Sequence, residues 1–190
     1  TSVPFRISDS LQSPYSMQTA ISVERQLPFR SNLSVTYSQS RSLHTLRLRN
    51  INAPVCPANF NCPTTAAEIQ LLRPDKTQGN IYQYESSGYS NAKFLSVNFN
   101  TQRLFNRISF NVGYNFTDVK GDTDSFSSPR GGGGFGGFPA YSYDLSGEYA
   151  PSALTAPHSL FMGGSVQLPW GVRLNPFVFA SSERRFNITT

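Results

Sequence analysis

Apolar and polar residues alternate strictly along residues 107–118. One side of an extended strand there would carry Ile108, Phe110, Val112, Tyr114 and Phe116. The other side would carry small uncharged residues, Ser109, Asn111, Gly113, Asn115 and Thr117. Because side chains alternate across a strand with period two, this pattern predicts a two-faced strand. Its length suits a tilted strand crossing a bilayer (about 9–11 residues), with the apolar face towards lipid and the polar face towards a water-filled lumen.

The same alternation recurs in further segments, and the repetition gives the weak signal of each one its weight. These segments are residues 17–23, 33–37, 95–99, 164–168 and 172–180. Within them Leu95, Val97 and Phe99 are also predicted to face lipid. In the last segment Phe177 and Phe179 fall on the nominally polar face, and Pro176, which has no N–H, predicts a bulge or an edge.

We therefore predict an all-β fold, an antiparallel up-and-down meander of about six long strands that forms a segment of a large transmembrane β-barrel. Residues 1–190 are treated as one partial barrel, and residues 1–14 as the end of a preceding loop. Short periplasmic turns are predicted at about 26–32, 101–106 and 169–171, and long outer loops at about 50–79 and 120–157. Thr65 and Glu68 have capping-box spacing, which predicts a short helix in the first long loop.

Aromatic residues gather near the predicted short turns, at Phe29, Phe105 and Trp170. Amphipathic and aromatic rings are enriched where a membrane meets water, so these three residues are predicted to form an interface girdle. Core aromatics of a β-sandwich are the alternative explanation.

Composition and charge narrow the function classes. Charged residues make up 14% of the chain, against about 25% in ordinary soluble domains. This scarcity fits a chain whose outside is not mostly in water, and equally a low-charge secreted β-domain. The net charge of +5 comes mainly from scattered arginines, so nucleic-acid binding is not predicted. No apolar run approaches the roughly 20 residues of a transmembrane helix. A chain that starts at Thr1 without a signal peptide is expected to be a processed chain or a piece of a longer one.

Candidate chemistry is sparse. Cys56 and Cys62 lie in one Pro/Asn-rich segment without a nearby histidine, which favours a local disulfide, and an oxidising compartment, over a zinc site. The densest polar–aromatic group is a candidate ligand-contact loop, for which a sugar or a chelate is a suitable ligand and a plain loop an equal alternative. Its residues are Tyr141, Tyr143, Asp144 and Tyr149.

Three other patterns do not support chemistry. The glycine run at 131–136 fits G-x-G-x-x-G but has no preceding strand or following helix. Asp118, Asp122 and Asp124 lack the full calcium-loop spacing, and His44 and His158 accompany no nucleophile elbow. We therefore predict no catalytic residue, no metal site, no cofactor and no enzymatic activity.

Several strings resemble, in order, segments of TonB-dependent outer-membrane receptors of the Oar-like branch. They begin with Pro14-Tyr-Ser-Met-Gln-Thr-Ala-Ile-Ser-Val-Glu-Arg-Gln-Leu-Pro28 and continue with residues 49–54, 79–88, 138–149, 168–177 and 180–189. The chain departs from the family at Thr155-Ala-Pro-His158, where only the histidine matches the usual Asp-x-Arg-His step. The glycine-rich run and the cysteine pair are not general features of the family.

The resemblance implies a barrel of about 22 strands around a plug, in the outer membrane of a Gram-negative bacterium, that takes up a scarce ligand. Neither the plug nor the energy-coupling segment is recognisable, and about six strands cannot close a barrel. The expected partners are outer-membrane lipid, the remainder of the barrel and its plug (from the same gene or a partner chain), and the TonB complex acting through those missing regions.

Two alternatives stay open. One is a secreted β-sandwich that binds glycans through its tyrosines, and the other is a structural subunit of a surface assembly or fibre. A sandwich would place Phe110, Val112 and Phe116 in a water-soluble core that faces a second sheet.

Overall fold

The protein is described by a computed structural model over residues 4–56, 63–104, 107–122, 139, 141–152 and 155–184. Its strands are β1 (Phe5–Ile7), β2 (Tyr15–Leu27), β3 (Ser31–Asn50), β4 (Tyr82–Leu104), β5 (Ile108–Gly121), β6 (Ala150–Pro151), β7 (His158–Gln167), β8 (Arg173–Leu174) and β9 (Phe177–Ser181). A helix, α1 (Ala66–Leu71), and a 3₁₀ turn (Pro169–Gly171) complete the described elements.

All these strands belong to one sheet. Its main path is β2-β3-β4-β5-β7-β8, with β9 also beside β7 and β6 beside β5. The pairs of β7 with β5, β8 and β9 are antiparallel. The predicted all-β antiparallel meander is therefore confirmed.

The first strand departs from the meander. β1 runs parallel to β4, with Phe5 beside Tyr82. The Tyr82 N–H donates to the Pro4 carbonyl oxygen at 3.1 Å, and the Ser8 N–H donates to the Tyr84 carbonyl oxygen at 3.0 Å. Residues 1–14, predicted to be only the end of a loop, thus contribute a strand as well.

Two strands extend well beyond their predicted segments, β3 with 20 residues and β4 with 23 residues. In β3 a second alternating run follows residue 37, in which Leu46 and Leu48 alternate with Arg47 and Arg49 in the opposite phase to Val35 and Tyr37. His44, with φ of 58°, lies between the two runs.

The chain divides into two compact units. We call Thr1–Tyr15, Ser42–Ser90 and Gly121–Ala150 the loop unit. We call Ser16–Arg41, Asn91–Lys120 and Pro151–Thr190 the sheet unit. The sheet unit holds β7, β8, β9 and all of β2 except Tyr15, whereas the loop unit holds β1 and α1.

No apolar core lies within the described part of the chain. Ile81 is its one buried hydrophobic residue. The other buried residues are two glycines and six polar residues: Gly88, Gly113, Ser31, Arg47, Asn52, Thr101, Ser142 and Ser152. Phe110, Val112 and Phe116 are half-buried, and the described strands form a single sheet. These strands therefore do not form the second sheet that a β-sandwich requires.

The predicted helix is present as α1, with Thr65 at its N-cap. The Thr65 hydroxyl donates to the Glu68 carboxylate. No side chain caps a backbone N–H of this helix, so the two residues bond to each other instead of forming the full capping box.

Two tight turns in the sheet unit share one backbone conformation. Between β2 and β3, Phe29 and Arg30 have φ of 62° and 54°; between β7 and β8, Trp170 and Gly171 have φ of 63° and 75°. Two successive positive φ values are required at the centre of a type I′ hairpin turn, whose twist matches that of the strands.

Candidate functional site

The most extended feature of the sheet unit is an unbroken apolar surface, which we call the apolar face. The register pairs Phe110 with Gly164, Val112 with Met162 and Tyr114 with Leu160. It then pairs Met162 with Val178 and Leu160 with Ala180. The alternation seen in β5 is therefore continued by its neighbours, and no charged side chain interrupts these rows.

The opposite face carries polar side chains that bond across strands; we call it the polar face. Ser22 and Thr36 hydroxyl oxygens lie 2.8 Å apart, and those of Ser16 and Ser40 lie 3.0 Å apart. The exception is aromatic: Phe161 and Phe177 pack edge to face with ring centroids 5.2 Å apart. As expected from the sequence, Phe177 and Phe179 thus share the polar face.

Gly164 and Pro176 form one cross-strand row of the apolar face. The Gly164 N–H donates to the Pro176 carbonyl oxygen at 3.1 Å, and Pro176 has no N–H to return. The pairs Val166–Leu174 and Gly163–Phe177 on either side keep the same register, so no residue is inserted. Of the two predicted outcomes at Pro176, the structure has the edge and not the bulge, because β8 and β9 pair with β7 and with no other strand among the described residues.

Two ion pairs occupy the loop unit. Arg47 Nη2 lies 2.7 Å from Asp122 Oδ2, and the Arg47 side chain is only 4% exposed. Asp122 Oδ1 also accepts the Tyr89 N–H at 2.6 Å. Arg49 donates to both oxygens of Glu85, from Nε at 2.9 and 3.0 Å. A buried charge needs such partners, since leaving it unpaired would cost several kcal/mol.

Asn52 is the polar centre of the first long connection and is 2% exposed. Its Nδ2 donates to the carbonyl oxygens of Asp75 (3.0 Å), Gln78 (3.1 Å) and Gly79 (2.8 Å). Its Oδ1 accepts the Asp75 N–H at 2.8 Å. One side chain therefore satisfies backbone groups that no strand or helix partner reaches.

The turn around Asp75 contains a carboxyl group with a lowered pKa. The Thr77 hydroxyl and N–H both donate to Asp75 Oδ1, at 2.5 and 2.9 Å. These hydrogen bonds favour the ionised form and lower the pKa of Asp75 below its ordinary value.

The candidate ligand-contact residues are largely engaged within the loop unit. The Tyr143 hydroxyl donates to the Ala53 carbonyl oxygen at 2.7 Å, and burial raises the pKa of Tyr143. Asp144 accepts the Ser146 N–H at 2.9 Å, and its pKa is lowered by hydrogen bonds from Ser146. Tyr149 stacks on Tyr89 with centroids 5.6 Å apart, and Tyr141 packs edge to face on Tyr143 at 5.8 Å.

The predicted girdle residues Phe29 and Trp170 sit at the two tight turns and are 64% and 96% exposed. Phe105, the glycine run at 131–136, Asp124 and Cys62 lie outside the described residues. The Cys56–Cys62 disulfide therefore stays a prediction.

The described residues also include the two histidines and the surroundings in which catalysis or metal binding was considered. His158 Nδ1 lies 2.8 Å from the Tyr114 hydroxyl, and His44 Nδ1 lies 3.3 Å from the Ser86 carbonyl oxygen. The described residues hold no group of three or more His, Cys, Asp or Glu that could bind a metal ion. No described helix is long and apolar enough to span a membrane.

Sequence reasoning did not single out Arg47, Arg49, Glu85 or Asn52. The one signal that pointed to the arginines was their alternation with leucines in β3. No sequence signal pointed to Asn52, whose partners Asp75 and Gly79 lie 23 and 27 residues further along the chain.

Comparison with known proteins adds independent findings. Residues 1–179 match the model of a family described as an outer membrane beta barrel domain. Among solved structures, the chain is similar to the outer membrane transporter YddB from Escherichia coli, with 12% identity and a TM-score of 0.51. The match covers 87% of this chain and 20% of that one, so the chain spans about a fifth of that protein's length. At this identity the similarity concerns the fold. No curated protein matches the chain.

Proposed function

The chain belongs to the outer membrane β-barrel domain family, and we propose that its strands form part of the wall of a TonB-dependent receptor that takes up a scarce ligand. On this proposal the chain is not an enzyme. The plug and the segment that contacts TonB would lie in other parts of the protein or in a partner chain.

The observation that carries the proposal is the apolar face. A strand surrounded by lipid must present hydrocarbon-compatible side chains, and its backbone groups must be bonded within the sheet. The rows from Phe110–Gly164 to Tyr114–Leu160 meet the first requirement, and the antiparallel ladder between β5 and β7 meets the second. The polar face, with its serine and threonine hydroxyls, suits a water-filled lumen.

The proposal also assigns positions relative to the membrane. The long connections that contain α1 and Tyr141–Tyr149 would be extracellular, and the tight turns at Phe29 and Trp170 periplasmic. Phe29, Phe105 and Trp170 would then lie at the membrane–water interface. The proposed Cys56–Cys62 disulfide fits the oxidising side of such a membrane.

Ligand contact would involve the exposed part of the candidate loop. Tyr143 and Tyr149 are 37% and 43% exposed, although each has a structural partner as well. An aromatic face and a carboxylate, here Asp144, suit a ligand that has both apolar and hydroxyl-bearing surface.

Site-directed spin labelling tests the wall assignment on the full-length protein in lipid bilayers. Val112→Cys places the label on the apolar face, and the neighbouring Asn111→Cys places it on the polar face as a matched control. We expect collisions with oxygen, which concentrates in lipid, to dominate at Val112, and collisions with a water-soluble nickel chelate to dominate at Asn111. Equal access of the chelate to both labels would refute the wall assignment.

A further inference from the structure

The apolar face changes character towards the end of β5 that lies farthest from the tight turns. Along one side of β5, Ile108, Phe110 and Val112 are followed by Tyr114 and Phe116, which both contact the His158 ring. Continuing on the same side come two charged residues, Asp118 and the exposed Lys120. Apolar, amphipathic and charged residues thus succeed one another along a single strand face.

The neighbouring strand β4 also passes from apolar residues to a charged one on this side. Asn98 Oδ1 lies where a side chain at Gly113 would meet it, at 3.0 Å, which places Asn98 near Gly113 across the ladder. An antiparallel register then brings Lys93 near Asp118. Lys93 is exposed and lies two residues before Leu95, on the same, apolar side of β4.

The next strand, β3, also carries a cation on this side. Gln39 Nε2 donates to Asn91 Oδ1 at 3.3 Å, so the side of β3 that carries Tyr37 and Gln39 lies beside the side of β4 that carries Asn91. Arg41, two residues beyond Gln39 and exposed, continues that side. Each of three adjacent strands therefore carries an exposed cation on this side: Arg41, Lys93 and Lys120.

We propose that these three residues, the cationic row, bind the phosphate of an anionic lipid headgroup in the adjacent leaflet. The inference rests on the proposed function, since it requires the apolar face to lie in lipid. Long basic side chains extend from the edge of an apolar surface towards the headgroups. Lys120 is four residues beyond Phe116, the last apolar residue on this side of β5, or about 13 Å along the strand.

Charge supports an anionic headgroup rather than a zwitterionic one. The cationic row carries three positive charges, and Asp118, which the register brings near Lys93, offsets one of them. A basic residue near an anionic lipid surface contributes about 1 kcal/mol, which corresponds to roughly a fivefold preference for the anionic lipid.

Photocrosslinking can measure this preference locally. Phe116 is replaced by p-benzoylphenylalanine in the full-length protein, which is reconstituted into nanodiscs of equal parts phosphatidylglycerol and phosphatidylcholine. Mass spectrometry then gives the ratio of the two lipid adducts at this position. We expect phosphatidylglycerol adducts to exceed phosphatidylcholine adducts about fivefold or more, with the excess falling at high salt.

Removal of the cations should abolish this preference. Arg41→Gln, Lys93→Gln and Lys120→Gln together should bring the adduct ratio close to one, and Lys93→Gln alone should lower it in part. The control Arg107→Gln with Arg173→Gln removes two exposed cations, one just before β5 and one on the polar side of β8, and should leave the ratio unchanged. A ratio near one in the unsubstituted protein, or an unchanged ratio in the triple variant, would overturn the inference while leaving the wall assignment intact. No lipid adduct at all would remove both.

Discussion

Asn52 offers the sharpest test of how the loop unit is held together. Asn52→Ala removes an amide whose Nδ2 contacts three carbonyl oxygens and whose Oδ1 accepts one N–H. Because Nδ2 has two hydrogens, these contacts amount to about three hydrogen bonds. At about 1 kcal/mol net for each, their loss should lower the local stability of the 73–80 segment by about 3 kcal/mol.

Limited trypsin digestion measures this local stability. Lys76 is exposed in the same segment, and its carbonyl oxygen accepts the Gln70 side chain at 2.7 Å. When opening is fast relative to cleavage, the cleavage rate follows the population of the open segment. Asn52→Ala in the full-length protein should therefore speed cleavage after Lys76 by up to about 100-fold.

Two further variants separate hydrogen bonding from shape. Asn52→Asp keeps the shape and the bond to the Asp75 N–H, but it turns a carboxylate oxygen towards three carbonyl oxygens. We expect it to be cleaved at least as fast as Asn52→Ala at neutral pH. Thr64→Ala, at an exposed site, should match the unsubstituted protein. Cleavage of Asn52→Ala at the unsubstituted rate would refute the central role of this amide.

Two other predictions follow from the same geometry. A Cβ at Gly164 would lie 2.8 Å from the Ser109 carbonyl oxygen and 2.9 Å from Phe110 Cβ. Gly164→Ala should therefore lower the free energy of unfolding by about 1–3 kcal/mol and lower the thermal midpoint in micelles. The control Gly147→Ala, whose Cβ would have nothing within 4 Å, should not lower that midpoint. Hydrogen bonds from Thr77 lower the pKa of Asp75 in the folded protein below the unfolded-state value of 3.8. The Asp75 turn should therefore be fully formed above pH 3.8 and should weaken as the pH falls through the lower folded-state pKa. The amide chemical shift of Thr77 would report this weakening, and Asp75→Asn should suppress it.

The strands were predictable because their information is local. In β5 the alternation from Ile108 to Phe116 marks both faces within one strand, and a buried or lipid-covered face fixes register along with it. The register with β7 accordingly brings Val112 to Met162, another apolar residue. A tight turn at Phe29–Arg30 joins β2 and β3. Its positive φ values could not be foreseen, since such turns usually use Asn or Gly.

The loop unit was not predictable for the opposite reason. Arg47 and Asp122 are 75 residues apart in the chain, and no periodicity connects them. The candidate ligand residues were selected by composition, which recognises a tyrosine but not its partner. Tyr143 illustrates the difference, because its hydroxyl bonds to the Ala53 backbone and so supports the loop itself.

Placing the polar face in lipid and placing the apolar face in lipid have unequal free-energy costs, and this difference decides the orientation of the sheet unit in the proposed wall. With the polar face in lipid, Asn111 and Asn115 would lie in hydrocarbon, where a polar group without a partner costs several kcal/mol. With the apolar face in lipid, the cost is instead the exposure of Phe161, Phe177 and Phe179 to the lumen, about 1.5–3 kcal/mol for each ring that stays fully wet. Phe161 and Phe177 reduce that cost by packing on each other. The remaining penalty is smallest if another protein segment inside the lumen covers these rings. We therefore expect such a segment to contact the barrel wall at this aromatic patch.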